Sequence, residues 1–143
     1  MLIKQISIFL ENKSGRLAEV TRVLGANNID ISALSIADTT DFGILRLIVN
    51  KPEEAEKILK DNGFTVSCTS VIAISVPDKP GGLSAALDIL DRKGIGIEYM
   101  YAFVGKTENE ALVLLKVSDT DGAVKTLTEN GINVVPSSSV YKL

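Results

Sequence analysis

The sequence predicts an α+β fold in which one unit of order βαββαβ is written twice. Three observations predict it. A long internal repeat keeps its register along the whole chain. Within each copy, apolar residues alternate with period 2 in some segments and recur at helical spacing in others. Finally, 143 residues of which 45% are apolar supply enough material for packed cores, and the length suits one medium domain or two small ones.

The repeat comes first, because it sets the architecture. The run Ile6-Ser7-Ile8-Phe9-Leu10-Glu11-Asn12-Lys13-Ser14-Gly15-Arg16-Leu17 matches Ile72-Ala73-Ile74-Ser75-Val76-Pro77-Asp78-Lys79-Pro80-Gly81-Gly82-Leu83 at an offset of 66. Leu24 and Leu90, Ile29 and Ile95, and Ile31 and Ile97 continue it. After a hairpin the offset becomes 68, pairing Val49 with Val117, Lys57 with Lys125, Leu59 with Leu127 and Asn62-Gly63 with Asn130-Gly131. A turn tolerates such a two-residue change. The expected domains are therefore 1–69 and 70–143, with a short join near Thr69-Ser70.

In the first copy, residues 2–10 alternate as a strand. A turn over 12–15 leads into a helix whose apolar stripe is Leu17, Val20, Thr21 and Leu24. Gly25 and Asn27-Asn28 stop that helix. Residues 29–37 form a second strand, 38–43 a hairpin and 44–49 a third strand. Pro52 suits the first turn of a second helix, with Glu53 and Glu54 near its positive end and Ala55, Ile58 and Leu59 on its buried side. Asn62-Gly63 is a C-cap signal, and 64–68 is the last strand. The second copy repeats this: Leu83, Ala86, Leu87 and Leu90 form a helix stripe ended by Gly94, 95–104 and 112–117 are strands, 122–130 is the second helix and 132–135 the last strand. The order is that of a ferredoxin-like unit. Each copy should be an antiparallel sheet with both helices on one face.

Composition excludes several functions. With no histidine, the chain has no Ser-His-Asp or Cys-His machinery and no His-ligated zinc. A single cysteine, Cys68, allows neither an intrachain disulfide nor a CxxC site, and is read as packing at the end of an apolar strand. Fifteen Lys and Arg against 18 Asp and Glu give a net charge of -3 without a basic cluster, a poor match for nucleic acid or anionic membranes. No apolar run approaches a membrane span, and the start lacks the apolar core and cleavage site of a signal peptide, so a cytoplasmic location is expected. No cofactor motif or metal set stands out. Glu108 and Glu110 are read as solvated in a hairpin, and Ser137-Ser138-Ser139 as a loop.

The most chemically specific segment is the turn before each first helix, Asn12-Lys13-Ser14-Gly15-Arg16-Leu17 and Asp78-Lys79-Pro80-Gly81-Gly82-Leu83. First-turn N–H groups lack helical partners and carry partial positive charge, so they can hold a carboxylate. Gly15 and Gly81 leave the backbone open to a ligand, and Asn12 or Asp78 can accept from an ammonium group. The plain alternative is that Asn12 or Asp78 caps the helix and glycine serves the turn.

A strand, an N/D-x-x-G-x-L turn, a helix and a β-β-α-β remainder, twice over, resemble the ACT domain across nearly the whole chain. That resemblance implies a small regulatory module that binds an amino acid or similar metabolite. It further implies that the ligand is held between the turn of one unit and the second strand of the other. Carried over by position, Asn12, Ser14, Gly15, Arg16 and Leu17 would contact ligand in copy one, and Asp78, Gly81, Gly82 and Leu83 in copy two. A polar side chain at the start of the second strand falls on Asp30 in copy one but on Gly96 in copy two, so the two sites should differ. Arg16, matched by Gly82, either crosses the groove to a carboxylate or is a solvated helix residue.

Tyr99, Tyr101 and Phe103 share one strand face by alternation. Met100 matches Leu34, and both should face the helices, which puts the three aromatics on the helix-free face or near the groove. There they cover an interface or contact a flat or bulky ligand side chain. The expected function is thus an amino-acid-binding sensor or regulatory subunit without catalytic activity or cofactor. Its expected partners are an amino acid effector, a metabolic enzyme and further copies of itself, since edge strands favour self-association. The alternative is a ferredoxin-like assembly scaffold with no ligand.

Overall fold

The computed structural model describes residues 2–11, 15–38, 42–104 and 109–142. These residues divide into two compact units, 4–69 with 141–142 and 70–140 with 2–3. The first unit contains β1 (Ile3–Glu11) from Lys4 onward, α1 (Arg16–Ala26), β2 (Ile31–Asp38), β3 (Phe42–Val49), α2 (Pro52–Asp61) and the start of β4 (Thr65–Pro77). The second contains the rest of β4, then α3 (Gly82–Arg92), β5 (Ile97–Ala102), β6 (Glu110–Val117), α4 (Thr120–Glu129), β7 (Asn133–Val134) and α5 (Ser137–Val140).

In the first unit the strand order is β2-β3-β1, with β4 beside β1. Antiparallel pairing sets Leu47 opposite both Ile6 and Leu34. In the second unit the order is β7-β4-β6-β5, with Ile72 opposite Leu115 and Met100 opposite Leu115. Alternation then builds each core. Ile6, Ile8 and Leu10 of β1 and Leu45, Leu47 and Val49 of β3 pack under Val20, Leu24, Ala55 and Leu59 of the helices. Ile72, Ile74, Val76, Val113, Leu115 and Val117 do the same under Ala86, Leu90, Ala123 and Leu127. Burying one such leucine or isoleucine contributes about 1.5–3 kcal/mol.

The four long helices end in the same way. Asn28, Gly63, Gly94 and Gly131 adopt positive φ, from 58° to 84°. The next residue in each case, Ile29, Phe64, Ile95 or Ile132, donates its N–H back to the carbonyl of Leu24, Leu59, Leu90 or Leu127 at 2.9–3.0 Å. These are Schellman stops, each anchored on a fully buried leucine.

Several expectations are corrected. The short join expected near Thr69-Ser70 is itself strand, because β4 runs unbroken from Thr65 to Pro77. The last strand of the first copy and the first strand of the second are therefore a single element. Cys68 therefore lies within a strand and not at its end. The buried side of α1 is Val20, Val23 and Leu24. Leu17 is 39% exposed, and Thr21 turns its hydroxyl onto the Ala18 carbonyl at 3.0 Å. Leu34 shares the helix-side face with Leu47 but is 41% exposed, since it lies on edge strand β2. The serines at 137–139 open a short helix that buries Val140. Glu110 is exposed as expected and also accepts from the Ser75 hydroxyl at 2.6 Å; Glu108 lies outside the described residues.

Candidate functional site

Both turns deliver the chain into a helix through a left-handed glycine. Gly15 (φ 86°, ψ -6°) is the N-cap of α1, and Gly81 (φ 85°, ψ -9°) is the N-cap of α3. Neither cap supplies a side-chain hydrogen bond. In α4, by contrast, the Asp119 carboxylate accepts from the Gly122 N–H at 3.0 Å. Among the described residues, chain neighbours aside, no heavy atom lies within 4 Å of the point where a Cβ on Gly15 or Gly81 would stand. Glycine is required there by φ rather than by crowding.

Beyond the glycines the two turns differ. Gly82 is buried, and a side chain on it would strike the Pro77 carbonyl; its N–H donates to the Lys79 carbonyl at 3.0 Å. Leu83 is half-buried against the second core. The Asp78 N–H donates to the Asn109 carbonyl at 2.9 Å. In copy one, Arg16, the residue that matches Gly82, is half-buried. Its guanidinium lies over Phe64 and bonds Glu19 at 3.0 Å, and its buried Nε has no partner among the described residues. Asn12 and Ser14 lie outside the described residues.

Asp30 is placed by its backbone. Its N–H donates to Asn50 Oδ1 at 2.9 Å, and its carbonyl accepts from the Asn50 N–H at 3.1 Å. Gly96 and Ser118 repeat this ring in copy two, at 3.1 and 2.9 Å. Asn50 and Ser118 fall outside the apolar periodicity. The signal that could have found them is a short polar residue between a strand and a helix, recurring at the offset of 68.

The sheet register separates Asp30 from the turn of its own unit. Glu11, before the turn, pairs with Phe42, whereas Ile31, after Asp30, pairs with Val49. Those positions on β3 are roughly 23 Å apart at ~3.3 Å per residue. A small ligand cannot span both within one unit.

Tyr99 pairs with Lys116 and Tyr101 with Leu114, whereas Met100 packs against the second core. The two tyrosines are half-buried on the helix-free face, in keeping with the alternation, and Phe103 is buried.

A separate polar cluster joins β1, α2 and β4. Lys4 Nζ lies 3.1 Å and Lys60 Nζ 3.2 Å from the Glu56 carboxylate. A hydrogen bond from the Cys68 thiol, followed by those from Lys4 and Lys60, holds Glu56 down at about 2. Burial, then the bond to Glu56, pushes the Cys68 thiol up to about 11. Such a thiol carries little thiolate near neutrality and is a poor nucleophile. Among the described residues, no group of three or more His, Cys, Asp or Glu is arranged for a metal ion. Among them, too, no helix is long and apolar enough to cross a membrane. A shallow cleft between α3 and α4, lined by Ile89, Arg92, Lys93, Thr126 and Asn130, lies at the other end of α3 from Gly81.

The sequence matches the family model described as an ACT domain pair over residues 1–143. It is similar to protein BT0572 from Bacteroides thetaiotaomicron at 49% identity, covering 100% of this chain and 98% of that one, with a TM-score of 0.95. It shares its fold with the regulatory subunit of aspartate kinase from Thermus thermophilus at 14% identity, covering 91% and 94%, with a TM-score of 0.67. The aspartate kinase regulatory subunit from Thermus flavus gives 14% identity, 88% and 90% coverage and a TM-score of 0.60. No curated protein matches the sequence.

Proposed function

The chain belongs to the ACT domain-pair family, a regulatory domain type, and from that premise we propose that it is an amino-acid-binding regulatory protein. The observation that carries this reading is the pair of matched helix starts. Each is capped by a left-handed glycine that offers no side chain of its own to the first-turn amides. A ligand carboxylate would dock there on backbone N–H groups at the positive end of the helix. Gly15, Arg16 and Leu17 with Asn12 and Ser14 would form one receptor, and Asp78, Gly81, Gly82 and Leu83 the other. Because Asp30 lies far from the turn of its own unit, its carboxylate would serve a ligand held at the turn of another ACT unit. Tyr99 and Tyr101 would set the preference for side-chain shape.

Binding would favour one arrangement of the protein over others by its differential affinity and so act on an associated metabolic enzyme. The protein would work in the cytoplasm as a homo-oligomer. The relatives named as aspartate kinase regulatory subunits support the regulatory part of this reading.

A second reading, an assembly scaffold without ligand, draws on the exposed Phe9 and Phe42. Their ring centroids lie 5.5 Å apart, at 46% and 42% exposure. A thermal-shift series with the twenty amino acids separates the two. A true effector at a hundredfold excess over Kd adds ~2.7 kcal/mol of stability. No shift with any of them favours the scaffold.

A further inference from the structure

The sequence holds two Asn-Gly dipeptides, Asn62-Gly63 and Asn130-Gly131, and both sit in Schellman stops. In a flexible chain such a dipeptide is chemically unstable. The glycine nitrogen, once deprotonated, attacks the asparagine Cγ; the new N–Cγ bond replaces Cγ–Nδ2, and ammonia leaves. Water then opens the succinimide to aspartate or isoaspartate. Glycine offers no side chain to obstruct the attack.

The native stops block each requirement of this reaction. Asn62 has ψ 13° and Asn130 ψ 14°. That torsion eclipses the glycine nitrogen with the asparagine's own nitrogen and holds it away from the side chain. The glycine N–H groups are engaged, Gly63 with the Lys60 carbonyl at 3.0 Å and Gly131 with the Thr128 carbonyl at 3.1 Å. The side chains are pinned as well. Asn62 Nδ2 donates to the Ile58 carbonyl at 2.7 Å, and Asn130 Nδ2 to the Thr126 carbonyl at 2.8 Å.

We infer that Asn62 and Asn130 are a matched pair of latent modification sites, silent while the ends of α2 and α4 are closed and reactive when either end frays. The product does not restore the closed state. It loses the Nδ2 donor and sets a carboxylate at the negative end of the helix. Each site therefore records the opening of its own helix end.

Peptide mapping by mass spectrometry, with isoaspartate detection, tests this on the full chain. Conversion at both sites should be at least ~10-fold slower in the native protein than in the same chain held unfolded in urea, because reaction requires local opening. Lys57→Gly, on the exposed side of α2, should speed conversion at Asn62 by up to ~5-fold and leave Asn130 unchanged. Lys125→Gly in α4 should do the reverse. Equal rates in native and unfolded chains would overturn the inference, as would variants that alter neither site or both alike.

Discussion

The Arg16 guanidinium carbon lies 4.6 Å from the centroid of the Phe64 ring. A cation at a helix N-terminus opposes the helix dipole. Here it is held by the ring face and by Glu19, one turn on. The matched position in the second copy is Gly82, packed on the Pro77 carbonyl. One helix thus opens on a guanidinium and the other on a glycine, which makes the two helix starts chemically unequal despite equal backbones.

Replacing Arg16 by alanine should cost about 0.5–1 kcal/mol, the size of a partly exposed cation–π contact. Urea denaturation of the variant measures it. Titration with the effector found by thermal shift should show weaker binding to the copy-one turn, and unchanged affinity would remove Arg16 from the ligand site.

Glycine substitutions should split by sign. Gly15→Ala and Gly81→Ala force a left-handed conformation on a residue with a side chain and should each lose about 1–2 kcal/mol. Gly25→Ala lies within α1 with open space beside it and should gain up to about 1 kcal/mol. Denaturation midpoints of the three variants check this, and a gain at position 15 or 81 would contradict the observed φ.

The parts of the fold legible in the sequence are those with local causes. The glycine stops, Pro52 and the alternating cores act within a few residues, so their positions are readable. The continuity of β4 is not, because Thr69 and Ser70 look like a polar join and only sheet pairing shows that they extend a strand. The face of α1 is ambiguous by pattern, because Leu17 and Thr21 fit the helical spacing as well as Val23 does. Packing against the sheet selects Val23. At the candidate site, the glycines and the face of Tyr99 and Tyr101 are readable from pattern. Arg16 is not, because its partner Phe64 is distant in sequence, and the rings closed by Asn50 and Ser118 leave only the recurrence of a short polar residue at the offset of 68.

Acid should unfasten the cluster around Glu56. Its carboxyl is held at about 2 in the folded protein, against an ordinary value of 4.5. The stabilisation is therefore complete above about 4.5 and is lost as pH falls through about 2. Urea denaturation across that range should show a steeper loss for the native protein than for Glu56→Gln. The Cys68 thiol, raised to about 11 from 9.0, should resist alkylation near neutral pH and react in the folded chain only in strongly alkaline solution.

Tyr99→Ala and Tyr101→Ala should weaken binding of an aromatic or bulky effector with little effect on a small one. Calorimetric titration of the double variant checks this. Unchanged affinity would assign the tyrosine face to packing between surfaces instead.

The common ending of the four helices bears on how the two halves can diverge. Each terminus is written in a handful of adjacent residues around a buried leucine. Helix length and the phase of the following segment are thus inherited intact by both halves. Drift at the glycine-capped starts of α1 and α3 can then retune what one half recognises without disturbing its twin, so a duplicated chain is free to evolve two specificities on one frame.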